Sequence, residues 1–215
     1  MIKVDCEQRS ELWHAVRLGI PTASEFHRIL TPTGKISEQA AAYRHELIAE
    51  WLTGRPAETY VNSWMQWGNL LEGEARAYYE FQREAPVEEV GFIYLDDRKL
   101  VGCSPDGLTP DGGGVELKCP SPGVHVHYLL NGIPIKYKPQ VQGAMWITGA
   151  EWWDWVSYHP DMPAVIVRSR RDETYIANLS IAVESFILTM LSERDQLMRQ
   201  GIMPSTIPRI IEETA

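Results

Sequence analysis

Apolar positions along the chain recur with two different periods, and the change from one to the other divides it. In the first third the spacing is helical. Thr22-Ala23-Ser24-Glu25 fits a capping box, with Thr22 as N-cap and Glu25 reaching back. Ser37 can cap a helix running from Glu38 to about Thr53, stopped by Gly54 and Pro56. A longer helix is predicted from Ser63 to Arg83, with Met65, Leu70, Leu71, Ala75, Tyr78, Tyr79 and Phe81 as its apolar contacts.

Beyond residue 88 the runs shorten. Val90–Leu95 and Leu100–Cys103, separated by Asp96-Asp97-Arg98, suggest a hairpin. A turn over Pro110–Gly114 leads into a strand at Val115–Cys119, and Pro139–Thr148 predicts a helix ended by Gly149. Trp152–Tyr158, Ala164–Arg168 and Thr174–Leu179 read as strands, and Ile181 to about Arg199 as an amphipathic helix. With no repeat or linker, the pattern predicts one domain over residues 1–215. It has a helical part to about 85, a sheet core over about 88–180 and a C-terminal helix over about 181–200, in an α/β arrangement around one mixed sheet.

Composition adds little to this. Hydrophobic residues make up 44% and charged residues 23%, as in an ordinary globular protein. No apolar run approaches the roughly 18 residues of a membrane span, and MIKVDCEQRS lacks a signal peptide's apolar stretch. The expectation is a cytoplasmic protein without a membrane. Cys6, Cys103 and Cys119 are too few and scattered for a disulfide framework or zinc knuckle. A net charge of −9, from 29 acidic and 20 basic residues, argues against a general nucleic-acid coater. It leaves room for an enzyme with acidic metal ligands and one basic surface.

The chemistry concentrates in Ser104-Pro105-Asp106-Gly107 and Gly114-Val115-Glu116-Leu117-Lys118-Cys119-Pro120. Glu116 and Lys118 are two apart on a strand and share a face. If the strand bearing Asp106 pairs with it, two carboxylates and an ammonium meet. Two carboxylates suit Mg²⁺, which keeps waters and phosphate oxygens as its remaining ligands. A metal pair can activate water and stabilise the leaving oxygen of a phosphodiester, and a lysine beside it can orient or deprotonate that water. Either half alone reads more simply, Asp-Gly as a turn and Glu-x-Lys as an exposed strand face. Together they favour a site.

Pro105-Asp106 with Glu116-Leu117-Lys118 resembles the PD-(D/E)xK nuclease signature, and SPDG…GVELKCP resembles the lambda-exonuclease, YqaJ-type viral recombinase family. Trp13-His14-Ala-Val-Arg17-Leu-Gly19-Ile-Pro-Thr22-Ala23-Ser24, Trp67-Gly68-Asn-Leu-Leu-Glu72-Gly-Glu-Ala75 and Gln140-Val141-Gln142 are similar to further elements of that family, in order. The resemblance implies a restriction-endonuclease-like fold, a central mixed sheet flanked by helices. It implies two Mg²⁺ per site (Mn²⁺ able to substitute) held by Asp106, Glu116 and the Leu117 carbonyl. Lys118 would act on the attacking water, and Glu72 would be an outer or second-site carboxylate. Arg17, Ser24, Ser104 and Gln140 match a pocket for a DNA 5′-phosphate, with Trp13 and Gln142 as further DNA contacts.

The implied activity is 5′→3′ exonucleolysis of 5′-phosphorylated duplex ends, releasing mononucleotides and leaving a 3′ overhang for recombination. A ring-shaped homotrimer, a single-strand annealing partner and a phage or prophage setting in a bacterial cytoplasm come with the family. A PD-(D/E)xK endonuclease and a non-catalytic DNA-end-binding module are the alternatives. The stretch Ser121–His127 departs from the lambda-exonuclease pattern, lacking its arginine; His125 and His127 alternate there and suggest a loop or DNA contact. Trp152-Trp153-Asp154-Trp155 suggests core packing over base stacking. Arg168, Arg170 and Arg171 form a basic run that fits a phosphate-contacting edge or a hairpin tip equally.

Overall fold

The computed structural model describes residues 1–57 and 63–205, save the side chains of residues 63–66 and 69. The sheet core is a mixed, four-stranded sheet of β4 (Gly107–Leu108), β5 (Gly113–Lys118), β6 (Trp152–His159) and β7 (Met162–Arg170), in that order. β5 and β6 run parallel, and the other two pairings are antiparallel. A parallel pair needs a crossover, supplied by α4 (Pro122–Asn131) and α5 (Lys138–Thr148). A second, antiparallel sheet joins β1 (Ile2–Val4), β2 (Phe92–Tyr94) and β3 (Gly102–Cys103). Around them lie α1 (Glu11–Arg17), a 3-10 helix at Ala23–Arg28, α2 (Ala40–Thr53), α3 (Ser63–Arg83) and α6 (Glu173–Arg199).

Several local expectations are corrected. Residues Thr174–Leu179 are the first turns of α6, because Asp172 caps the helix by accepting from the Tyr175 amide at 3.0 Å. Tyr175, Ile176, Leu179, Ala182, Val183, Phe186, Ile187 and Met190 then form one buried helical stripe. This helix is long and apolar enough to cross a membrane by length and composition, yet its stripe packs on α2 and α5 as a core helix does. Gly113 and Gly114 belong to β5 rather than to a turn; a Cβ on either would meet the Trp152 or Trp153 ring within 2.2 Å. Ser37 does not cap α2, which starts at Ala40 with Gln39 preceding it, although the Ser37 hydroxyl accepts from the Gln39 amide. Thr22 heads the 3-10 helix and bonds the Ser24 hydroxyl, with no side-chain cap.

On α3, Leu71, Ala75 and Tyr79 are buried and Tyr78 packs beside them, but Leu70 and Phe81 are exposed; the Met65 side chain lies outside the described residues. Ser121–His127 is not extended: Pro122 opens α4. Residues two apart on a helix point to nearly opposite sides, so His125 is buried while His127 faces outward. The main core gathers Phe26, Ile29, Tyr43, Met145, Trp153, Trp155, Val183 and Phe186 between α2, α5, α6 and the sheet. One contact within it positions the site. Gly143 on α5 lies against Phe26, whose ring a Cβ would approach to 2.3 Å.

Candidate active site

Asp106 immediately precedes β4, and β4 pairs with β5 in the register Gly107–Val115. The strand that brings Asp106 to Glu116 is therefore this short β4, while the Leu100–Cys103 run pairs with the Val90–Leu95 run through β3 and β2, as the hairpin expected of them. The Leu117 amide donates to Asp106 Oδ2 at 2.6 Å. Lys118 Nζ donates to Glu116 Oε1, as their shared strand face requires. Gln140 Nε2, from the first turns of α5, donates to the same oxygen at 2.6 Å.

The cluster is short of positive charge. Burial first, then the neighbouring Glu116 carboxylate, push the Asp106 carboxyl up to about 8, against the opposing pull of Lys118 and the Leu117 amide. For Lys118, burial disfavours the ammonium, but Glu116 and Asp106 outweigh it and raise its pKa. Lys118 thus stands as a donor.

One pocket is lined by Arg17, Ser24, Ser104, Pro105, Glu116 and Gln140, so the four residues expected to bind a terminal phosphate do converge, next to Glu116. Arg17 Nη1 donates to the Ser104 hydroxyl at 3.3 Å, and its guanidinium lies 3.8 Å from the centre of the Trp13 ring. Trp13 Nε1 donates to Ser104 Oγ at 2.8 Å and to the Gly91 carbonyl at 3.1 Å. Trp13 therefore holds Ser104 and Arg17, two residues that line this pocket. Burial lowers the Arg17 pKa, and among the described residues Arg17 forms no ion pair. A half-buried guanidinium with no ion-pair partner among the described residues, beside two hydroxyls and an amide, can receive an anion.

Glu72, on α3, lines a second pocket together with Asp106, Gln8, Arg9, Arg76 and Glu89. Arg9 Nη2 donates to Glu72 Oε2, and Arg76 stands 3.6 Å from the other oxygen. Among the described residues no three His, Cys, Asp or Glu side chains form a ready-made metal cluster. The oxygen donors Asp106 and Glu116 nevertheless fit Mg²⁺, which needs few protein ligands, and the underpaired Asp106 carboxyl is where added positive charge would be stabilising.

Other expectations do not reach the site. Gln142 is buried, its Nε2 donating to the Arg170 carbonyl at 2.9 Å and its Oε1 accepting from the Asp172 amide at 2.8 Å. Both ends of its amide tie β7 to α6, which corrects its expected role as a DNA contact. His125 is likewise no surface contact, with Nδ1 2.7 Å from the Ser157 hydroxyl and Nε2 3.0 Å from the Pro163 carbonyl. Trp152, Trp153 and Trp155 are core residues. Arg168 pairs with Asp154, and Arg171 with Glu173 and the carbonyls of Met145 and Ala150. Arg170 is exposed. Sequence reasoning missed Arg9 and Gln8, whose partners lie far along the chain. It also missed Tyr137, whose ring centre is 5.9 Å from Lys118 Nζ.

The sequence profile of the YqaJ-like viral recombinase domain matches residues 12–151. Among solved structures, the chain is similar to the alkaline exonuclease LHK-Exo of Laribacter hongkongensis. The two are 36% identical with a TM-score of 0.81, over 89% of this chain and 98% of that one, and LHK-Exo has also been solved with dAMP. A phage-related exonuclease from Haemophilus somnus 129PT shares the fold, at 19% identity and a TM-score of 0.65 over 85% of this chain and 96% of that one. Among curated proteins no significant match is found. The architecture is the restriction-endonuclease-like fold with its mixed sheet flanked by helices.

Proposed function

Because the chain belongs to the YqaJ-like viral recombinase family, we propose that it is a Mg²⁺-dependent exonuclease that degrades duplex DNA 5′→3′ from phosphorylated ends. Products are 5′-mononucleotides and a 3′ overhang suited to single-strand annealing. The observation that carries this reading is one of adjacency. A half-buried Arg17, without an ion pair among the described residues, and the carboxylate–lysine cluster occupy adjoining space, with Glu116 and Gln140 common to both. An anion pocket beside a hydrolytic cluster measures from a chain terminus, as an exonuclease must.

Arg17, Ser24, Ser104 and Gln140 would take the terminal phosphate by charge-assisted hydrogen bonds and fix the register of the strand. Asp106 and Glu116, with the Leu117 carbonyl, would hold Mg²⁺, two ions per site with Glu72 at the outer edge, and Mn²⁺ would substitute. The metal supplies Lewis-acid charge and an activated water. Lys118, held as an ammonium by its carboxylate neighbours, orients that water and donates to the phosphate oxygen as charge builds on it. Gln140 keeps Glu116 in place by its 2.6 Å bond. A ring-shaped homotrimer would gather positive charge in its channel while leaving the net charge at −9. An annealing protein as partner, and the cytoplasm of a bacterium carrying a phage or prophage, complete the reading.

The test is a digestion of linear duplex labelled separately at each 5′ and 3′ end, with and without Mg²⁺. Mononucleotides should leave from the 5′ end only when Mg²⁺ is present, and closed circular duplex should stay intact. Cutting of the circle, or no release from a phosphorylated end, would overturn the proposal.

A further inference from the structure

The segment between β1 and α1 runs along the pocket shared by Glu72 and Asp106. Gln8 fixes it there, its Nε2 donating to the carbonyls of Val90 and Pro105 at 2.8 Å each. The next residue, Arg9, has φ 70°, the left-handed region that a side chain with a Cβ adopts only at a cost. Around it the backbone is tightly determined. The Ser10 amide and hydroxyl both donate to the Glu7 carbonyl, and the same hydroxyl caps α1 at the Trp13 amide. Glycine would occupy position 9 without strain, so the reason for the arginine lies in its side chain.

That side chain ends on Glu72. The pocket is lined by the acidic Asp5, Glu7, Glu72, Glu89 and Asp106 against only Arg9 and Arg76, an excess that attracts cations. The two arginines differ. Arg76 is 15% exposed and bound to Glu89 at 2.5 Å as well as facing Glu72. Arg9 is 47% exposed and, among the described residues, has Glu72 as its one ion-pair partner. Arg9 can leave without stranding a buried charge; Arg76 cannot.

We infer that Arg9 is a built-in counter-cation for Glu72, occupying the position beside that carboxylate which a divalent metal takes over, and turning out to solvent when it does. This rests on the metal-dependent reading above. It makes Arg9 a positioning residue: it keeps Glu72 ordered and its charge matched in the metal-free protein, and it sets the threshold for metal entry.

The experiment is calorimetric titration of the full-length protein with Mn²⁺, without DNA. Arg9→Gln should bind Mn²⁺ about two- to fivefold more tightly, as fits displacement of a half-exposed ion pair. Arg9→Lys, which keeps the charge, should bind as wild type does. In a Glu72→Gln background, Arg9→Gln should change nothing. Unchanged or weaker binding by Arg9→Gln, the same gain in Arg9→Lys, or a gain that persists without Glu72 would each overturn the inference and leave the metal-dependent reading intact. If the wild-type protein takes up no Mn²⁺ at all, both fall together.

Discussion

Asp154 on β6 and Glu116 on the adjacent β5 are both buried carboxylates, and the register, which sets Asp154 beside Val115, puts them on opposite faces of one sheet. Asp154 is saturated. Arg168 grips it with two bonds of 2.8 and 2.9 Å, the Tyr79 hydroxyl donates at 2.9 Å, and Arg83 stands at 3.2 Å. Burial pushes its carboxyl up, but the Arg168 and Tyr79 hydrogen bonds outweigh that and hold it below the ordinary range. On the other face Asp106 and Glu116 share one ammonium, and Asp106 is pushed up to about 8. The lesson is that burial of charge alone does not mark a functional site; incomplete compensation does. One face of the sheet ties α3 to the strands, and the other keeps a deficit of positive charge that a metal can fill.

The sharpest way to break this contrast is Lys118→Ala. It should lower the turnover of 5′-phosphorylated duplex about a hundredfold to a thousandfold while DNA binding persists, read by single-turnover kinetics and gel shift. Unchanged turnover would remove Lys118 from the chemistry. On the opposite face Asp154→Ala should cost about 2–3 kcal/mol in denaturant unfolding, less than for a fully buried pair. Arg168 and Arg83, 36% and 38% exposed, can turn to water. Because the folded carboxyl titrates below its unfolded value, that stabilisation is present above the unfolded pKa and is lost as pH falls through the folded one. Wild type and variant should therefore converge in acid.

Arg17→Ala should narrow the preference for 5′-phosphoryl over 5′-hydroxyl ends about tenfold in kcat/KM, with an unaltered ratio refuting its assignment. The smallest effect has the opposite sign. Asp106→Asn, tested in chelator, should stabilise the metal-free protein by about 1 kcal/mol at pH 8. The wild-type carboxyl ionises in the unfolded chain before it does in the folded one, so wild-type stability falls between the unfolded pKa and about 8. The advantage of the asparagine should therefore grow over that window and vanish in acid. A destabilised Asp106→Asn would mean that the cluster is compensated after all.

Where a signal is local in the chain, it was legible. Asp106, Glu116 and Lys118 lie within one strand pairing, and Arg17, Ser24, Ser104 and Gln140 fall in motifs whose order resembles a family. Ambiguity arose where one apolar pattern serves two periods: Tyr175, Ile176 and Leu179 suit a strand or a helix, and only the Asp172 cap decides. His125 and His127 alternate as strand residues would, but Pro122 starts a helix beneath them. Gln142 and Gln140 are chemically the same, and only the turn of α5 sends one to Arg170 and Asp172 and the other to Glu116. The Arg9–Glu72 contact joins positions 63 residues apart, through a backbone conformation that no periodicity encodes.

The contact of Gly143 with Phe26 has a consequence for selectivity. The 3-10 helix that carries Ser24 and the helix that carries Gln140 touch at this point, with ring carbon against bare backbone. The gap between the two donors is thus gauged by a missing methyl group deep in the core, three residues from the donor it sets. The proposed phosphate pocket would then work as a caliper whose jaws are polar and whose hinge pin is hydrocarbon, and its discrimination among chain ends would be retuned without touching any residue proposed to meet the DNA.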